Sequence, residues 1–112
     1  MNAIFSELVP DEPEFCRSFY MTREQINHLF ELGYLGIHTY SHKPLATLSP
    51  EACKREIQEC LRVLTEVVET PNPEKIYSVA YPYGGSKVVP PNIADLGEQS
   101  GLRLGFTMER SF

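Results

Sequence analysis

Two histidines stand four residues apart in the run His38-Thr39-Tyr40-Ser41-His42. A helical turn there projects both imidazoles to one side, where they can grip a single metal ion. Neutral imidazole is the commonest metal-ligating side chain, and zinc accepts it readily. Spacing alone leaves a plainer reading open: two half-exposed polar residues on a turn. The third histidine, His28, falls off the apolar stripe of its own segment and reads as a solvated surface residue. Cys16, Cys53 and Cys60 are odd in number and none forms a Cys-x-x-Cys pair. They read as free, mostly buried thiols that lean toward a reducing compartment, and no spacing favours a zinc site built from them.

The elements that must position these residues alternate. Residues 1–21, with the acidic, proline-flanked stretch Pro10-Asp11-Glu12-Pro13-Glu14, read as an ordered loop. Thr22 and Gln25 form a capping box that opens a helix, with Ile26, Leu29, Phe30 and Leu32 as its buried stripe and Gly33 as its stop. Tyr34 to Thr39 reads as a short buried strand, which puts both histidines at its C-terminal end. Ser49 as cap and Pro50 at the first helical position start the longest helix. Its apolar face runs from Cys53 through Ile57 and Cys60 to Leu64, Val67 and Val68, and Glu51, Lys54, Arg55, Glu56, Glu59 and Arg62 are read as its solvated face. Ile76 to Tyr81 is the next strand and runs into the tight turn Pro82-Tyr83-Gly84-Gly85. Pro90-Pro91-Asn92 opens a third helix with Ile93 and Leu96, stopped at Gly101, and Leu102 to Thr107 forms the last strand. The order implies parallel strands joined by crossovers. Strand C-terminal ends, where both marked runs fall, are where such folds place their chemistry.

Bulk properties exclude some partners. The 112-residue chain suffices for one domain, and its net charge of −5 is spread along it. Nucleic acid is therefore not the expected partner, since phosphate binding needs clustered Lys and Arg. No apolar run approaches a membrane span, and Met1 to Leu8 does not read as a signal peptide.

His38-Thr39-Tyr40-Ser41-His42, followed by Leu45 and Leu48-Ser49, resembles the metal-binding motif of the polysaccharide deacetylases, the NodB-homology group. Ala80-Tyr81-Pro82-Tyr83-Gly84 is similar to that family's next motif, and Gly101-Leu102-Arg103-Leu104-Gly105-Phe106-Thr107 to the strand after it. The resemblance covers about residues 20–108. It implies an α/β chain, a partial (β/α) barrel of the polysaccharide deacetylase type with about three parallel strands alternating with three helices. It also implies a hydrolase that removes N- or O-acetyl groups from a carbohydrate. By position, His38 and His42 are two of the three protein ligands of a divalent metal, with zinc expected. By the same resemblance Tyr83 would lend its backbone N–H to the oxyanion, and Tyr81, Pro82 and Tyr83 would line the sugar groove. On the residues alone, Tyr81 and Tyr83 fit the core as well as a groove wall.

The sequence departs from the family in its carboxylates. The family's first motif is a pair of adjacent aspartates, one the general base and the other the third ligand. This chain has only Asp11, in the acidic turn, and Asp95, in a helix, and neither fits. The late histidine that serves as general acid has no counterpart after His42, and Ala80 stands where many members carry an arginine. Three strands do not close a barrel of about eight. Residues 1–112 are therefore expected to be a single domain, the central portion of a deacetylase domain. The base then comes from outside it, with Asp11 the only internal candidate. Three readings follow: the metal-binding part of a deacetylase acting on an acetylated carbohydrate; a non-catalytic carbohydrate-binding module; or an association module that self-associates through exposed sheet edges.

Overall fold

The computed structural model describes residues 7–109. The first element overturns the expected loop. Helix α1 (Glu12–Phe19) forms because Asp11 caps it, accepting the Glu14 N–H at 2.9 Å. Pro13 sits in the first turn, where a missing N–H leaves no bond unmade. The acids that suggested a turn complement the helix N-terminus, and Arg17 pairs back to Glu14 at 2.7 Å. No residue of α1 is buried; Phe15 and Phe19 stack on each other with ring centroids 5.2 Å apart.

Helix α2 (Arg23–Glu31) carries the expected capping box, Thr22 and Gln25 each satisfying the other's backbone N–H. It closes with Gly33 at φ +75°, as the Gly33 N–H reaches the Phe30 carbonyl and the Tyr34 N–H the Leu29 carbonyl. A left-handed residue with these two bonds is the Schellman stop, which glycine fits without strain. Phe30 is buried, but Leu32 is exposed. Two positions on from Phe30, it faces away from the core.

Helix α3 (Pro50–Val68) starts at the Ser49 cap and packs on α2 and on α4 (Ile93–Glu98). Arg23 donates to the Val67 carbonyl at 2.7 Å and so satisfies the last turn of α3 from the start of α2. Strands β1 (Ser78–Ala80) and β2 (Leu104–Phe106) pair in parallel, with Val79 opposite Gly105. The expected first strand shrinks to one parallel bridge, Ile37 with Val79 on the other side of β1. The Ile37 N–H donates to the Ser78 carbonyl at 2.9 Å, and its carbonyl accepts the Ala80 N–H at 3.0 Å. The parallel alternation is thus present over three segments. Only two of them are strands of three residues, and the described residues close no barrel. The outer edge of β2 has no partner among the described residues, and Leu104 and Phe106 stand exposed on it. Leu45, Cys53, Ile57, Ile76 and Val79 are the most deeply buried members of the core, which Ile37 joins from the segment that carries the histidines.

Candidate metal and oxyanion site

The histidine run does not turn helically. Thr39 and His42 both lie in the left-handed region, at φ 64° and 55°. The two rings nevertheless meet, with centroids 4.8 Å apart. Such backbone in non-glycine residues costs on the order of 1–3 kcal/mol each and persists only where surroundings impose it. Here α3 imposes it. The Glu56 carbonyl accepts the Tyr40 N–H at 3.1 Å. The Glu56 carboxylate accepts the Ser41 N–H at 2.7 Å and the Ser41 hydroxyl at 2.6 Å. Further along, the Cys53 thiol donates to the Leu45 carbonyl at 3.2 Å. Thr39 is buried, and its Oγ1 has no hydrogen-bond partner among the described residues.

His38 Nδ1 lies 2.6 Å from the Ala80 carbonyl oxygen. A carbonyl only accepts, so Nδ1 carries the proton, and the neutral ring keeps its lone pair on Nε2. Metal-bound histidines are held in this way, their second nitrogen donating to a carbonyl or carboxylate. The backbone of Ala80, at the end of β1, therefore sets the tautomer of a histidine at the end of the neighbouring segment.

Tyr83 completes the group. Its ring meets His42 edge to face, with centroids 5.2 Å apart, and is 56% exposed. The turn that presents it has proline followed by a residue at φ 62°, the pattern of a type II turn, where glycine or asparagine is usual. The Tyr83 N–H donates to no group among the described residues. Gly84 fastens the turn to the end of β2. It sits at φ +59°, accepts the Met108 N–H at 2.9 Å, and has no room for a Cβ, which would lie 2.6 Å from the Met108 nitrogen. Tyr81 and Pro82 do not share the site. Pro82 is fully buried, and Tyr81 packs over Gly105, where burial pushes its phenol up from its usual pKa. Tyr81 borders a cleft of about 570 Å³ with Ile93, Gly97, Leu102 and Leu104, and neither histidine nor Tyr83 lines it. Of the three side chains expected in a sugar groove, the structure presents only Tyr83. The carbohydrate-binding reading thus keeps one of its two aromatic rings beside the histidines.

Two further groups bear on a metal. Burial opposes ionisation of Glu56, but the Ser41 hydroxyl and N–H and the charge of Lys43 outweigh it and hold the carboxyl below its usual range. It is an ionised acceptor already engaged with the loop. Burial pushes the Cys53 and Cys60 thiols up, which disfavours the thiolate a metal needs. Among the described residues no three of His, Cys, Asp and Glu converge on one point. Asp11 is occupied as the α1 cap, and residues 1–6 and 110–112 contain none of these four types. The donor set therefore fits a divalent metal only in part: two imidazoles lie side by side, and among the described residues no third ligand joins them.

The polysaccharide deacetylase family model matches residues 15–105, and the chain belongs to that family. No curated protein and no solved structure matches it.

The three residues singled out from the sequence, His38, His42 and Tyr83, lie together in the structure, whereas Glu56, which holds their loop, reads from the sequence as part of the solvated face of α3. The signal was present. Glu56 precedes Ile57 within the series Cys53, Ile57, Cys60, so it borders the buried stripe rather than opposing it.

Proposed function

We propose that this chain carries the metal-holding and oxyanion side of a carbohydrate deacetylase site, with His38 and His42 as two ligands of a divalent ion, zinc by its preference for imidazole. The observation that carries this reading is the His38–Ala80 hydrogen bond, which leaves Nε2 free beside the His42 ring. When bound, the metal polarises an acetyl carbonyl and makes a bound water nucleophilic near neutral pH. The chain's own residues supply an oxyanion donor and a face for the sugar. The unengaged N–H of Tyr83 is the donor for the oxyanion that forms when water adds to the carbonyl carbon. Such a donor is worth about 3 kcal/mol when aimed at the developing charge. The exposed Tyr83 ring offers an apolar face to a sugar. The substrate is an acetylated carbohydrate, which gives up acetate and keeps its amine or hydroxyl. The third ligand and the base come from outside these residues, and the unpaired edge of β2 is where further strands, from more of a barrel or from a second copy, would join.

Calorimetric titration of zinc into the purified chain tests this, beside His38→Ala and His42→Ala. The expected result is saturable binding that either substitution abolishes. Binding that survives both substitutions, or none at all, overturns the assignment.

A further inference from the structure

The histidine loop owes its shape to a residue that is neither in the motif nor near it in sequence. Glu56 lies mid-way along α3, fifteen positions from Ser41, and reaches across to the loop. Both of its carboxylate oxygens are used on one residue, the Ser41 N–H and hydroxyl, at 2.7 and 2.6 Å. Bonds this short to an ionised acceptor are the strong kind, and a two-point grip fixes orientation as well as distance. Ser41 sits immediately before His42, and Tyr40, held by the Glu56 carbonyl, lies between the two histidines. On either side of this clamp the backbone is left-handed at Thr39 and at His42. At Thr39 the β-branched side chain opposes that conformation, at His42 the residue type tolerates it without requiring it, and the run contains no glycine. Cys53 and Cys60 flank Glu56 on the same side of α3, and Cys53 holds the far end of the loop through the Leu45 carbonyl. The helix thus acts as a template on which the loop is laid, and among the described residues Glu56 is the charged side chain of α3 that hydrogen-bonds the residues between the histidines.

From this geometry we propose that Glu56 is a positioning residue of the metal site: through Ser41 it sets the distance and angle between His38 and His42. The inference rests on the reading of those histidines as ligands. Glu56 touches no ligand itself, and its effect passes through the backbone of Tyr40 and Ser41.

The test compares Glu56→Gln, Ser41→Ala and the double variant with wild type, using Glu59→Gln as a control on the same helix. Each is followed by zinc titration, by thermal unfolding and by the imidazole proton shifts of His38 and His42. Glu56→Gln and Ser41→Ala are each expected to weaken zinc binding about 10-fold, the scale of outer-shell partners of metal ligands. The double variant is expected to be no worse than Glu56→Gln, since both remove one clamp. Imidazole shifts move in both variants before any zinc is added, and Glu59→Gln moves neither affinity nor shifts. Unchanged zinc affinity in both variants overturns the proposal, as does a loss that only tracks the drop in thermal midpoint. If the wild-type chain binds no zinc, the ligand assignment fails instead. The clamp is then judged by the imidazole shifts alone, and their constancy in Glu56→Gln overturns it.

Discussion

The histidine loop and the Tyr81–Gly84 turn lie side by side and solve one problem differently. Each holds a bulky residue in the left-handed region at the end of a parallel segment, Thr39 and His42 in one, Tyr83 in the other. The turn is shaped mainly by its own residues and tied to one other segment. Pro82 fixes one angle, Gly84 permits the next, and a backbone bond to Met108 closes it. The loop has no such residues and borrows its shape from α3, through one carboxylate and one carbonyl. A locally encoded turn keeps its shape wherever the chain places it, whereas a templated loop keeps its shape only while the template is docked.

That contrast can be broken from either side. The largest effect is expected in the turn. Gly84→Ala forces a side chain into the left-handed region and against the Met108 nitrogen, and should lower stability by about 2 kcal/mol. Urea unfolding checks this, and a loss no greater than that of Ser41→Ala would mean the turn is not the stiffer of the two. A smaller effect of opposite sign is expected in the loop. Thr39→Val keeps the shape of the side chain but removes a buried hydroxyl without a partner, and should raise stability by about 1 kcal/mol. A drop in the same unfolding measurement would show that the hydroxyl is engaged. The smallest concerns acid. The Glu56 carboxyl is held below its usual value of 4.5. In that range the unfolded chain binds a proton that the folded chain resists, so stability falls as pH falls. The contribution is complete above the unfolded value and disappears through the folded one. Between about pH 5 and pH 3 the unfolding free energy of Glu56→Gln should therefore decline less steeply than that of wild type. Equal slopes would remove the carboxylate from the account of the loop.

What could be read from the sequence divides along the same line. The caps of α2 and α3, the Gly33 stop and the parallel order all follow from local chemistry, and the structure carries them. The histidine pair was legible from spacing, but its route was not, because neither threonine nor histidine announces a left-handed backbone. Glu56 looked solvated because its partner lies in another element. Tyr81 and Pro82 looked ligand-facing because a motif records position and not burial. The α1 segment failed for a different reason: prolines and acids mark a turn and a helix N-terminus equally well, and only the Asp11 cap distinguishes them.

Cys53 gives the templated loop a clock. Its sulfur is sealed between α3 and the Leu45 carbonyl, with 1% of the residue exposed. A thiol reagent reaches it only when the loop lifts from the helix. The slow alkylation of Cys53, set apart from the faster reaction of the more exposed Cys16 and Cys60, therefore times how often the packing between α3 and the loop opens.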